Sequence, residues 1–308
     1  MQRDWRHGST SPVSASQWDR SRVLRRVMFG LTTLLGIKQQ GFFIPYRYAA
    51  AVQPEGYPAL HHHFVAAEPR FSEMMAVVEA YADDLRRIAS GPGPARFDQD
   101  WFPRLDAAVA YALVRRERPR RIVEIGSGHS TRFLARAATD AGLSTQIVCI
   151  DPAPRVPIAS LNVRHEPCLL RDVDPSVFAE LSTGDILFID SSHIAMPGTD
   201  VDRLILDIIP RLPQGVLVHV HDIFLPDAYP AEWAWRGYNE QLLIGLLIEG
   251  GACELLFASH YVATRRPEII ARSVVGELPL IAGAFETSLW VRKRTKARCR
   301  DTGEPSFV

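Results

Sequence analysis

The sequence has few cysteines and no excess of either charge. Its four cysteines, Cys149, Cys168, Cys253 and Cys299, form no C-x-x-C pair, and two of them lie in apolar runs, where cysteine behaves as a small hydrophobe. We therefore expect reduced thiols and a cytoplasmic location. Lysine plus arginine and aspartate plus glutamate number 35 each. The chain therefore has no net positive charge that would attract nucleic acid, so we expect a small-molecule substrate and no nucleic-acid partner.

The sequence also lacks an apolar run long enough to cross a bilayer. The nearest candidate is Val27 to Ile37, which follows Arg22, Arg25 and Arg26 and superficially resembles a signal peptide. Its polar leader is too long, no small-residue cleavage site follows, and the run is about half of the ~20 residues that a membrane span needs. We expect an amphipathic helix without stable membrane insertion. Contact with a membrane interface is the alternative.

Composition divides the chain into four parts. The first residues are polar and show no hydrophobic periodicity, and the run from Ser90 to Asp100 has the glycine and proline density of a linker. Helical spacing is found at Arg22 to Ile37 and at Phe71 to Ile88. The predicted parts are a disordered leader (1–20), a helical cap (21–97), the main domain (98–294) and a basic tail (295–308).

Aromatic side chains are concentrated between the two helical stretches of the cap. Phe42, Phe43, Tyr46 and Tyr48 fall within seven residues of each other. They are suited to closing over a pocket or to forming a homodimer interface, and the sequence does not decide between the two. Three consecutive histidines, 61 to 63, cannot all face one metal from a regular element, so we expect a solvated turn there.

From residue 98 onward, helical and strand patterns alternate. The strand segments are almost continuously apolar, which is typical of a parallel sheet covered on both faces. This pattern predicts a doubly wound α/β domain. The expected strands are Arg121 to Ile125, Gln146 to Ile150, Leu161 to His165, Asp185 to Ile189, Gly215 to Val220, Cys253 to Ser259 and Glu286 to Arg292.

A glycine-containing turn, VEIGSGHST, follows the first of these strands. Gly126 and Gly128 allow a tight turn and a close approach to a ligand, and the next helix begins near Ser130 with free amide donors. Asp151 ends the next strand, where a carboxylate accepts the hydrogen bonds of ribose hydroxyls. The pair predicts a nucleoside-containing cofactor.

Two cofactors compete for this turn. A nicotinamide fingerprint requires glycine where Thr131 stands, and Glu124 precedes Gly126 by two residues, where an acid repels a pyrophosphate. The same acid suits a cofactor that carries an amine and a sulfonium. The residues therefore favour S-adenosylmethionine over a nicotinamide cofactor.

With Asp151, the run from Glu124 to Gly128 resembles motifs I and II of class I S-adenosylmethionine-dependent methyltransferases. The resemblance covers roughly residues 98–294. It implies a Rossmann-like seven-stranded sheet whose last strand is antiparallel, with the methionine end of the cofactor near Glu124 and its ribose at Asp151. The cofactor-binding residues that we predict are Glu124, Gly126, Ser127, Gly128, Ser130, Asp151 and Asp190.

Acids and histidines follow the next two strands. Asp190 and His193 come after one strand, and His221 and Asp222 end the next. Because adjacent parallel strands end at one edge, we expect these groups to converge. Asp190, His221 and Asp222 have the composition of a divalent metal site for Mg²⁺, Mn²⁺, Fe²⁺ or Zn²⁺. The region is similar to metal-assisted O-methyltransferases of the macrocin and cephalosporin-biosynthesis type, although His221 stands where that family has an acid.

A metal-free alternative uses the same residues. His193 or His221 would act as general base, with Asp190 or Asp222 orienting the imidazole. The neighbouring His219 is expected to be a half-buried structural residue. A methyltransferase acting at oxygen is the favoured function; a nicotinamide-dependent oxidoreductase, a metal-dependent hydrolase and a non-catalytic binding module are the alternatives.

Overall fold

A computed structural model of the chain describes residues 20–295. The predicted leader lies outside the described residues except for residue 20. The predicted basic tail, which includes Cys299, lies outside them except for residue 295. The contacts between residues divide the chain into two compact units, and the boundary lies after Gln53. In the first unit, the described part contains helix α1 (Arg20–Leu34) and a short 3₁₀ helix (Ala49–Ala51).

The second unit is built on a seven-stranded sheet. Its strand order is β3-β2-β1-β4-β5-β7-β6, and β7 runs antiparallel to both of its neighbours while the other pairs are parallel. The doubly wound, Rossmann-like prediction with an antiparallel last strand is confirmed. The strands are β1 (Arg121–Ile125), β2 (Gln146–Ile150), β3 (Arg164–Glu166), β4 (Ile186–Ile189), β5 (Leu217–Val220), β6 (Cys253–Ala258) and β7 (Leu289–Lys293).

Helices surround this sheet. None of the helices in residues 20–295 combines the length and apolar character that a membrane span requires. They are α2 (His61–Glu79), α3 (Ala82–Ser90), α4 (Arg104–Glu117), α5 (His129–Asp140), α6 (Ser176–Ala179), α7 (Asp200–Arg203), α8 (Ile209–Arg211), α9 (Glu240–Glu249), α10 (Ser259–Arg265) and α11 (Pro267–Ala271), with a π-helical segment (Leu204–Ile208) joining α7 to α8.

Helix α2 differs from the sequence prediction. It begins at His61, so the expected solvated turn at residues 61–63 is wrong, and it ends before a separate helix, α3. Buried Phe64, Phe71 and Val78 recur at helical spacing and carry the helix through Pro69. Phe71 packs edge-on against Phe257 of β6 at 5.7 Å between ring centroids.

Contacts therefore place residues 54–97 in the same compact unit as the sheet. Our predicted boundaries, with one cap from 21 to 97, differ from that division and stay a prediction.

The turn after β1 holds three strand ends together. The amide of Gly126 donates to the carbonyl of Ile150 in β2 at 3.0 Å, and the amide of Asp190 donates to the carbonyl of Ile125 at 2.9 Å. Gly126 has φ +79°, and a Cβ on it would overlap the carbonyl oxygen of Asp190. Only glycine fits here, because both the backbone conformation and the space exclude a side chain.

This close approach predicts a contrast between two glycines of the same turn. We expect Gly126→Ala to destabilise the protein by about 2 kcal/mol or more, since a left-handed backbone and the overlap with Asp190 both add strain. Gly128→Ala is the matched control, because its Cβ meets no atom within 4 Å. Thermal unfolding of the two variants measures the difference. Equal unfolding temperatures would contradict the strand-tying role of Gly126.

Candidate active site

Asp151 lies at the end of β2 and faces the turn. One of its carboxylate oxygens accepts from the amide and the hydroxyl of Ser127, at 2.8 and 2.9 Å, and the other accepts from the amide of Ala153 at 2.8 Å. These donors fix the carboxylate while each oxygen keeps lone-pair capacity. Asp151 is thus positioned to accept hydrogen bonds from a bound nucleoside.

A cavity of about 1200 Å³ opens beside Asp151. This volume is sufficient for a cofactor or a drug-sized ligand. Gly128 lines the cavity, and a Cβ there would meet nothing within 4 Å, so the backbone leaves space that a ligand can enter. The cavity-lining residues include six of the seven predicted cofactor residues: Gly126, Ser127, Gly128, Ser130, Asp151 and Asp190.

Glu124 is the exception. Its side chain is fully buried beneath the turn and does not line the cavity. One carboxylate oxygen accepts from the hydroxyl of Ser130 at 2.6 Å and the other from that of Thr131 at 2.7 Å. Strand alternation turns Glu124 into the protein, where it supports the turn from below. Its contact with the cofactor stays a prediction.

The hydroxyl residues of the turn explain its departure from glycine-rich patterns. Thr131 Oγ1 donates to Glu124 and accepts from the amide of Gly128 at 2.9 Å, so it connects the buried acid to the turn backbone. The hydroxyl of the neighbouring Ser130 also donates to Glu124. The sequence pattern showed these residues only as missing glycines.

Burial raises the pKa of Glu124 to about 7, despite the lowering effect of its hydrogen bonds. A raised folded pKa means that stability from this group is complete below its unfolded pKa, near 4.5, and is lost as pH rises through about 7. That loss amounts to about 3 kcal/mol, from 1.36 kcal/mol per pKa unit.

We therefore expect Glu124→Gln to remove a pH-dependent loss of stability. Between about pH 5 and about pH 8, the free energy of unfolding of the natural protein should fall relative to that of the variant, because only Glu124 ionises. Urea unfolding of both proteins at the two pH values measures this difference. An identical pH dependence would show that Glu124 does not titrate in that window.

Two carboxylates and two imidazoles alternate in a closed ring, which consists of Asp190, His193, Asp222 and His221. His193 Nε2 lies 3.3 Å from Asp190 Oδ1 and 3.5 Å from Asp222 Oδ2. His221 Nδ1 lies 3.4 Å from Asp222 Oδ1 and 3.7 Å from Asp190 Oδ1. The structure thus brings together all four predicted residues of the strand ends. Asp190 also lines the cavity, so the ring and the cavity share one side chain.

Each imidazole of the ring has a buried carboxylate on its other nitrogen. His193 Nδ1 lies 2.9 Å from Glu240 Oε2, and His221 Nε2 lies 3.5 Å from Asp106 Oδ2. Both acids are fully buried. Neither acid was expected to pair with a histidine. Asp106 had a usable signal, because it is the only acid in the apolar run of α4, whereas Glu240 lies 47 residues from His193, and no sequence pattern links the two.

Contacts within the ring shift the pKa values of three of its members, His193, His221 and Asp190. Burial alone would lower the pKa of His193, but hydrogen bonds to Asp190 and Glu240 raise it well above its usual value. For His221, burial again lowers the pKa, but the charge of Asp222 and the nearby carboxylates of Asp106 and Asp190 outweigh it and raise the pKa well above its usual value. The two imidazoles hold the pKa of Asp190 well below its usual range, against the opposing effect of burial.

The backbone is strained at two members of the ring. His193 has φ +59° and Asp222 has φ +56°, in the left-handed region that residues other than glycine seldom adopt. Such strain persists only where the surroundings impose it, and it is concentrated at functional sites. Both residues are also largely buried. The strand ends therefore hold these side chains in one imposed arrangement.

His219 stands apart from the ring chemistry. It is fully buried rather than half-buried as expected; its Nε2 lies 2.8 Å from the hydroxyl of Ser288, and its ring stacks on Phe188 at 3.7 Å between centroids. Burial lowers its pKa well below the usual value. A neutral, packed histidine is a structural residue.

Aromatic side chains border the ring on the side of α9. The ring of Tyr238 lies 4.6 Å from that of His193, and Trp233 meets Tyr238 edge-on at 5.8 Å. The guanidinium of Arg236 lies 3.9 Å from the centroid of Trp233. This is the mix of flat apolar surface and polar groups that binds a ring or a sugar.

The strand-end acids and His221 have the residue types of a divalent-cation site, but they are too widely spaced to form one as they stand. Among the described residues, only His62, His63 and Glu249 place three such ligand atoms within 4.8 Å of one another, so Asp190, His221 and Asp222 would have to move closer together to hold a cation. A carboxylate behind each imidazole is also the usual support of metal-binding histidines. The Nε2 of His221 is buried without a hydrogen-bond partner at 3.5 Å from Asp106, which leaves it free to tighten onto that acid.

Comparison with known proteins agrees with the fold. Residues 123–223 match the family model described as a methyltransferase domain. No curated protein matches the sequence.

Among solved structures, an SAH-bound methyltransferase from Podospora anserina shares 16% identity, with 83% of this chain and 100% of that chain covered and a TM-score of 0.39. An O-methyltransferase from Bacillus cereus in complex with SAH shares 14% identity, covering 72% and 91%, at a TM-score of 0.38. These values are too low to assign an activity or the role of a residue.

The family match covers the turn, the acid after β2 and both strand ends of the ring, and it coincides with the part of the sheet that holds the cavity. The seven-stranded sheet and its antiparallel last strand are those that the resemblance to class I enzymes implied. The comparison therefore identifies a methyltransferase domain within residues 123–223.

Proposed function

We propose that this enzyme methylates a hydroxyl oxygen of a small molecule, assisted by a divalent cation held by Asp190, His221 and Asp222. The observation that carries the proposal is the closed ring of two carboxylates and two imidazoles, which shares Asp190 with the cavity. A bound cation would lower the pKa of an acceptor hydroxyl and orient its oxygen.

The chain's own residues supply the remaining steps. Asp151 holds the ribose of the cofactor, and the turn from Gly126 to Ser130 follows the methionine part along the cavity. The S–CH₃ bond breaks with its electron pair left on sulfur, a new C–O bond forms, and S-adenosylhomocysteine leaves. His193 would accept the proton of the acceptor at Nε2 in its neutral form, which a cation beside Asp190 and Asp222 would favour because it offsets the carboxylate charges that raise the pKa of His193. Glu240 beside Nδ1 keeps the other proton of the imidazole in place.

Charge and enclosure support a small acceptor. The cavity is bounded by three strand ends and by the segment around Arg203, and the chain carries no net charge that would attract a polyanion. A cytoplasmic location remains our expectation, because the described cysteines, Cys149, Cys168 and Cys253, are free.

Donor binding is tested by calorimetry with S-adenosylmethionine and S-adenosylhomocysteine. We expect Asp151→Ala to weaken both at least about tenfold, because a charged acceptor of two ribose hydrogen bonds is lost. Asp83→Ala is the control, since this carboxylate is 86% exposed on α3. Binding of NADH in place of S-adenosylmethionine, or equal affinities in the two variants, would contradict the assigned cofactor site.

The role of the ring is tested by separating binding from turnover. Asp222→Asn keeps the shape of the side chain but removes its charge. It should lower kcat by roughly 100-fold, because the neutral amide holds the neighbouring histidines and a cation less strongly. Affinity for S-adenosylmethionine should stay within about twofold, since Asp222 does not line the cavity.

Metal analysis of the purified enzyme accompanies this test. Chelation should abolish turnover of the natural enzyme, and added Mg²⁺, Mn²⁺, Fe²⁺ or Zn²⁺ should restore it. Full activity after complete chelation would leave the methyltransferase assignment intact but would overturn metal assistance in favour of the metal-free alternative.

A further inference from the structure

Exposed apolar side chains are concentrated in residues 23–52. Of the 23 large hydrophobic side chains that are exposed among the described residues, 14 lie in this segment and nine lie beyond residue 60. Exposure of single apolar residues is ordinary, but a contiguous concentration of them marks an interaction surface.

Helix α1 presents these side chains as one face. Leu24, Val27, Met28 and Leu31 recur at spacings of three and four, and each is 49 to 64% exposed. Arg25 flanks this face, with its guanidinium 5.2 Å from the ring of Phe29, and Arg26 lies on the opposite side of the helical wheel. The helix is therefore amphipathic, as the sequence predicted.

The segment after α1 continues the apolar surface with aromatic residues. Phe42, Phe43, Tyr46 and Tyr48 are 56 to 67% exposed. Hydrogen bonds from the amide of Gln40 to Thr33 Oγ1 and from Thr32 Oγ1 to the amide oxygen of Gln40 fold the chain back at the end of α1. Exposed phenylalanine and tyrosine rings suit the boundary between lipid headgroups and acyl chains.

The charge of this segment has one sign. Residues 23–53 contain Arg25, Arg26, Lys38 and Arg47 and no aspartate or glutamate, although the whole chain is neutral. Two copies joined through this surface would bring like charges together, because a two-fold interface places the same patch on both sides. An anionic surface removes that repulsion, and near a membrane each basic residue adds favourable energy.

We propose that residues 23–52 bind the surface of an anionic lipid bilayer. The apolar face of α1 and the rings from Phe42 to Tyr48 enter the headgroup boundary, while the basic residues face the lipid phosphates. Because no described helix is able to span a bilayer, the segment lies along the interface. This inference is independent of the proposed function, since the binding needs neither cofactor nor acceptor.

Flotation of the full chain with lipid vesicles tests the proposal. With vesicles of phosphatidylcholine plus about one third phosphatidylglycerol, we expect binding at least about tenfold tighter than with phosphatidylcholine alone, and weaker binding at high salt. The double variant Phe42→Ser/Phe43→Ser should lose at least about tenfold in affinity.

The control variant is Leu246→Ser on α9, whose side chain is 67% exposed, the same fraction as that of Phe43. It should bind vesicles like the natural protein. Circular dichroism and calorimetric binding of S-adenosylmethionine report separately whether each variant is folded. The proposal is overturned if the natural protein binds neither vesicle, or if the double variant binds equally well. It is also overturned if the natural protein does not bind vesicles but sediments as a dimer, and the double variant sediments as a monomer.

Discussion

The close approach of Gly126 to the carbonyl of Asp190 is the constraint on which the site depends. It joins the end of β1 to the end of β4, while the amide of Gly126 joins β1 to β2. A parallel sheet with this order necessarily brings strand ends to one edge, but only a residue without a side chain lets two of them come this near. The cavity on one side and the ring of charged residues on the other both follow, because Asp190 belongs to each.

Burial of charge is the second organising principle. Glu124, Asp106 and Glu240 are all fully buried, and each has hydrogen-bonding or charged partners of its own. Asp106, for example, accepts from the amides of Thr287 and Ser288, both at 2.9 Å, so it anchors β7 as well as supporting His221. Burying such groups is costly unless they are paired, and well-packed apolar residues would serve stability as well. Asp106 and Glu240 each fix one imidazole in a single orientation, and Glu124 supports the turn.

Much of the fold was predictable from local pattern. Strands β1 and β2 begin and end where the apolar runs do, because their residues are buried on both faces. Strand β3 begins three residues later than predicted and ends one residue later, since it is an exposed edge strand without an apolar signal. The site residues at the strand ends converge as expected. The carboxylate partners of the two histidines were not predictable, because those contacts join positions far apart in the chain: Glu240 lies 47 residues from His193. The direction of Glu124 was missed although its partners, Ser130 and Thr131, are only six and seven residues away.

The central claim is that the turn, Asp151 and the ring form one active site on a single edge of the sheet. A crystal structure of the enzyme with S-adenosylhomocysteine tests it most directly. We expect the ribose hydroxyls to lie within hydrogen-bond distance of Asp151 and the sulfur to face the Asp190 side of the cavity. A nucleoside bound elsewhere, or a sulfur pointing away from Asp190, would contradict it.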